Sequence, residues 1–188
     1  MQKRTLTPPE GYDRRAVVTG MMAAQLDPLL ASLARRVKDA GVDELEWQPR
    51  PGINTVGMLL AHLALSEVYW MLVASQGIDS VEEADVIALA TIGIRMNDDG
   101  LPLAPHGSHP ATLAGKTAAE YLEMLRRARQ ATHATLRGWD DAGLDQTRTV
   151  NGVEASRGWI LFHIVEHFAH HLGQIALLAS IRRTLHGG

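Results

Sequence analysis

Nine histidines punctuate the chain, and four of them, His163, His167, His170 and His171, fall in the run from Trp159 to Leu178, WILFHIVEHFAHHLGQIALL. The rest of that run is apolar, with no proline and one glycine, Gly173, so its spacing predicts a helix. In a helix, residues four apart are offset by about 40° and separated by about 6 Å of rise. His163, His167 and His171 therefore form one slowly drifting stripe. Neighbours in the stripe can chelate one metal ion, but the outer two are separated by about 12 Å of rise and cannot share it. A third ligand has to come from another element. Without an ion, each of these imidazoles would need its own buried partner among Ile, Val, Phe and Leu. The alternative is a structural or pH-sensing cluster.

The elements that must position this stripe follow from spacing. Residues 1–10 read as an unstructured lead-in. From about Tyr12 to Ala40 the positions Val17, Met21, Met22, Leu26, Leu29, Leu30, Leu33 and Val37 repeat at three and four, predicting an amphipathic helix. Pro28 either splits it, with Asp27 as a cap, or kinks it. Gly41 is predicted to stop it. Residues 42–54 connect to a second helix, with Leu45 and Trp47 folding back over the bundle end. That helix runs from about Asn54 or Thr55 to Ser75, carries His62, and ends at Gly77. Residues 78–115 read as an insertion covering one end of the bundle, with a short helix between Val81 and Met96 broken by NDDG at 97–100. His106 and His109 lie there and are expected in exposed loop.

Thr117 and Glu120 form a capping box that opens a third helix to about Leu136. Tyr121, Leu122, Leu125, Ala128 and either Thr132 or Leu136 are expected inward. Arg126, Arg127 and Arg129 read as a solvated face, and His133 as a surface residue. Asn151-Gly152 between alternating residues predicts a two-residue hairpin, after which Ser156 caps the histidine helix. The tail RRTLHGG is expected to fray. The fold class is therefore all-α: a four-helix bundle with a short β-hairpin before the last helix, in one domain over residues 1–188.

Composition narrows the chemistry. Hydrophobic residues make up 46% and charged residues 21%, with a net charge of −3 and no basic block. Neither a nucleic-acid groove nor a membrane patch is expected. The chain has no cysteine, which removes disulfides and thiolate nucleophiles and leaves His, Asp, Glu or water to hold a metal. The first residues, MQKRTLTPPEGYDRR, are polar, and no run reaches about 18 uninterrupted apolar residues, so the expected location is cytoplasmic.

Metal sites in bundles are built from helices that project side chains inward. His62 is the histidine outside the last helix on a convincingly buried helix. With one adjacent pair from the stripe it would supply three neutral nitrogens and leave positions open to water, the pattern of catalytic rather than structural sites. Glu67 and Glu166 are the nearest carboxylates in sequence and read as solvent-facing. Gln174, three residues past His171, could orient a ligand.

The segments GMLLAHLALSEVYW, TVNGVEASRGW and HIVEHFAHHLGQI, with ELEWQPRPGIN as the first inter-helix loop, resemble the DinB-like (DinB/YfiT) superfamily, in the same order along nearly the whole chain. The resemblance implies an up-up-down-down four-helix bundle, often a homodimer. It also implies a divalent metal on His62, His167 and His171, with His163 near the site but off the metal. Glu67 matches a glutamate common in the family's second helix, and residues 78–115 look longer than usual. Zinc or nickel is the expected ion, with iron also compatible, since imidazole suits them alike. The family contains S-transferases and isomerases that use mycothiol, bacillithiol or glutathione, alongside members of unassigned activity. Metal-dependent S-transfer on a small-molecule substrate is thus the first functional expectation. The others are a metal-dependent hydrolase, a non-catalytic metal or small-ligand binding bundle linked to stress, and, more weakly, a haem site.

Overall fold

The computed structural model describes residues 10–11, 15–78, 80–150 and 152–186. In chain order the elements are α1 (Val17–Val37), α2 (Val42–Leu45), α3 (Val56–Gln76), α4 (Val81–Ile92), α5 (Ala118–Leu136), a 3₁₀ turn (Asp141–Gly143), strands β1 (Thr147–Val150) and β2 (Val153–Ser156), and α6 (Arg157–His186).

Local capping chemistry sets most of the helix starts. The Thr55 hydroxyl accepts from the Met58 backbone N–H at 3.0 Å to open α3. Ser80 does the same for α4, and Thr117 with Glu120 forms the expected capping box of α5. Gly77 and Gly93 close α3 and α4 in the left-handed region, at φ 72° and 80°, where a side chain would be strained. The start of α1 has no local cap. Asp141, more than a hundred residues away, accepts there from the backbone N–H groups of Val18 and Thr19, each at 2.9 Å.

Pro28 lies inside a continuous α1 rather than between two helices. The helix ends at Val37, so Gly41 does not stop it; with φ −72° it precedes α2. Val17 is 56% exposed instead of inward, and Thr19, Gly20 and Ala23 take the buried positions of the first turns. Leu45 is fully buried as expected. The tail through His186 continues α6 instead of fraying. The hairpin pairs Thr147 with Ser156 and Val150 with Val153. Its turn residue Asn151 lies outside the described residues. Ser156 accepts from the Trp159 backbone N–H at 3.1 Å, the predicted cap.

α1 and α3 each pack against both α5 and α6, and α4 lies against α3 and α5. α3 is buried on nearly every side by Met58, Leu59, Leu60, Leu63, Ala64 and Leu65, as a helix at the centre of a bundle must be. By length and composition α1 and α3 could cross a membrane, but 78% of the apolar span of α3 is buried inside the protein. Arg157, at the start of α6, donates to Ala74 O near the end of α3. Arg182, near the end of α6, pairs with Asp43 just past α1. Together with Asp141 after α5 against the start of α1, these contacts make the order of directions up, down, down, up. That differs from the expected up-up-down-down arrangement because the connection through α2 brings the start of α3 beside the end of α1, where Val37, Leu45 and Val56 lie together.

Candidate metal centre

Three imidazoles from two antiparallel helices converge. His62, on the second turn of α3, places Nε2 3.0 Å from Nε2 of His167 on α6. One turn further along α6, His171 Nε2 lies 3.1 Å from the same atom. One nitrogen from each of the three falls within 4.8 Å of the others, and all three side chains are half-buried. Nitrogens sharing a tetrahedral zinc at about 2.0–2.1 Å stand about 3.4 Å apart, so the spacing suits a shared ion.

The tautomers support the same conclusion. His62 Nδ1 lies 2.8 Å from Oδ2 of Asp99, which is 6% exposed. His171 Nδ1 lies 2.7 Å from Gln174 Oε1. A carboxylate and an amide oxygen only accept, so both Nδ1 atoms carry the proton and both Nε2 atoms present lone pairs. Burial first, then neighbouring His171, His62, His163 and His170, pushes the His167 pKa down to about 3. Burial also lowers that of His171, against the opposing effect of the hydrogen bond it donates to Gln174 Oε1. His167 and His171 thus resist protonation, and a metal cation is the partner that their lone pairs and that of His62 fit. The residues present could hold a metal ion.

Asp99 was not foreseen. It belongs to the NDDG sequence read only as a helix breaker, yet its Oδ1 accepts from Leu101 N at 3.0 Å while Oδ2 holds His62. Ser66, one turn after His62, sets its hydroxyl 3.4 Å from His62 Nε2. His163 stays off the three-nitrogen cluster, its ring stacked on Trp159 at 5.0 Å and edge-on to Trp70 at 4.9 Å. His170 contacts Gln174 Nε2 at 3.0 Å.

The other expectations divide. Glu67 is not solvent-facing: it is 2% exposed and accepts two bonds, at 2.8 and 3.1 Å, from Arg129. Arg129 is correspondingly 4% exposed rather than part of a solvated face, because its guanidinium satisfies a charge that the apolar α3 could not. Asp27 extends the pair, 3.4 Å from Arg129 and 2.9 Å from His133, whose side chain is mostly buried. Glu166 is exposed, 3.5 Å from His163. His106 is exposed as expected. His109 is not: its side chain is 9% exposed, with Nδ1 2.8 Å from Thr55 Oγ1.

The family model described as the DinB superfamily matches residues 25–175, a span that includes all three converging histidines. No curated protein matches the chain. A solved structure, described as the conserved protein of locus from Enterococcus faecalis, superposes with a TM-score of 0.67 at 17% identity, covering 91% of this chain and 98% of the other. That likeness speaks for the fold. With the family model spanning most of its length, the chain belongs to the DinB superfamily.

Proposed function

We propose that the protein is a divalent-metal-dependent enzyme in which His62, His167 and His171 hold the ion and a low-molecular-weight thiol serves as cosubstrate for S-transfer or isomerisation. The observation that carries this reading is the convergence of three imidazole nitrogens, with the tautomers of two set by Asp99 and Gln174. Zinc or nickel is the proposed ion, with iron compatible. A bound divalent ion supplies Lewis-acid chemistry, lowering the pKa of a thiol or water that reaches it.

The chain's own residues supply the rest. Asp99 fixes the ring orientation and tautomer of His62. Burial keeps His167 neutral across the physiological range. The Ser66 hydroxyl stands beside His62 Nε2, where it can hydrogen-bond a group entering between α3 and α6. Glu67 is spent on Arg129 and is not available as a base. With no cysteine in the chain, the thiol has to arrive as a separate molecule, which suits a cytoplasmic location. A homodimer belongs to the same proposal; nucleic acid and membrane do not.

The test is turnover of an electrophile such as 1-chloro-2,4-dinitrobenzene with and without added metal, and with bacillithiol, mycothiol or glutathione present or omitted. Turnover that needs both metal and thiol supports S-transfer. Metal-dependent ester cleavage without thiol replaces it with hydrolysis. Turnover under neither condition leaves a metal-binding bundle.

A further inference from the structure

Beside the three histidines lies a groove of about 660 Å³ that the centre itself does not use. Trp70 from α3 and Trp159 from α6 form one wall, their rings 5.9 Å apart at 71°. Val150, Val153 and Ala155 of the hairpin form the other. Its size is that of small-molecule sites, which are concave and mainly apolar with a few polar groups; here Glu154 and Ser156 supply those groups. Two of the apolar side chains are left outside the core: Trp159 is 47% and Val153 67% exposed.

Aromatic rings in contact link the groove to the candidate centre. Trp159 stacks on His163, and His163 lies 5.4 Å, ring to ring, from His167. Trp70 lines the groove and also a small cavity that His167 and Ser66 line from the other side. A molecule lying against the two tryptophans is therefore separated from His167 by one layer of side chains.

We propose that this groove seats an aromatic portion of the protein's small-molecule substrate, stacked on one of the indoles of Trp70 and Trp159 and edge-on to the other. Among the described residues lining the groove, Glu154 is the one ionisable group and there is no cation to recruit an anion. Offset and edge-on contacts with two indoles favour a planar ring over a branched aliphatic chain. That the reacting end of the molecule points towards the histidines rests on the function proposed above; binding in the groove does not.

The experiment titrates 4-nitrobenzyl alcohol, an uncharged aromatic quencher, against the tryptophan fluorescence of the full chain, metal-free and metal-loaded. Saturable quenching, beyond the collisional quenching of N-acetyltryptophanamide, is expected in both forms. Val153→Asp, at an exposed strand position, should weaken it at least tenfold with metal content unchanged, and Trp159→Ala should do the same. Val86→Asp, equally exposed on α4, should bind as the wild type does. Quenching that never saturates, or that survives Val153→Asp, overturns the proposal. So does a wild type that binds no quencher and sediments as a dimer that Val153→Asp dissociates, which would assign the groove to a second copy. A protein that holds no metal yet passes the titration overturns the metal-dependent function and leaves the groove standing.

Discussion

Asp99 Oδ2 lies 2.8 Å from His62 Nδ1, so a loop residue outside the bundle helices fixes a ring inside the bundle. The loop after α4 is thereby tied to the candidate centre. Partners of this kind typically contribute about 10–100-fold in metal affinity. Asp99→Ala should weaken metal binding by about that factor in a chelator competition, while Asp99→Asn, which keeps an accepting oxygen, should lose less. Equal affinity in Asp99→Ala and the wild type would show that the contact does not tune the site.

The Glu67–Arg129 pair makes an opposite prediction, a loss of stability without loss of metal. Glu67→Ala leaves the buried Arg129 charge with only the longer contact to Asp27, and removing one partner of a buried pair costs up to about 3–5 kcal/mol. Urea unfolding should show it. Replacing both residues with apolar side chains of similar volume should restore much of the loss. Glu67→Gln should keep full metal occupancy.

Acid should destabilise the metal-free protein through His167. Its pKa falls from 6.5 to about 3 on folding, so between these values the unfolded chain binds a proton that the folded chain does not. Stability from this source is complete above about 6.5 and is lost as the pH falls towards 3. Urea midpoints measured in chelator should decline over that window, and less steeply in His167→Gln. Identical slopes would remove His167 as the cause.

Much of this architecture was legible because local rules and burial agreed. Thr117 with Glu120, Ser156 and Gly77 ended or began helices where their chemistry required, and His62 with His167 and His171 met in space. What was illegible depended on partners distant in sequence. Arg129 looks like its neighbours Arg126 and Arg127 until Glu67 is seen across the α3–α5 interface. Val17 fits the apolar spacing of α1 but falls on its exposed face, because Asp141 caps that helix from the far end of α5. His109 reads as loop until Thr55 receives it. Asp99 carried one signal, a polar turn, and its second role as an acceptor for His62 had none. The order of helix directions is a property of the connections, which periodicity does not encode.

Self-association is predicted from the outer face of α6. Phe162 and Leu177 are 50% and 60% exposed there, and apolar side chains on one helix face tend to be covered by a symmetric copy. Sedimentation at micromolar concentration should give a dimer that Phe162→Asp or Leu177→Asp dissociates. A monomeric wild type contradicts this.

Metal content of the purified protein tests the central claim most directly. Elemental analysis of the wild type, of alanine variants at His62, His167 and His171, and of His106→Ala should separate the converging set from an exposed loop histidine. We expect one tightly held divalent ion per chain in the wild type and in His106→Ala, and its loss in each of the three cluster variants. Full occupancy in His167→Ala, whose Nε2 contacts both other imidazoles, would contradict it.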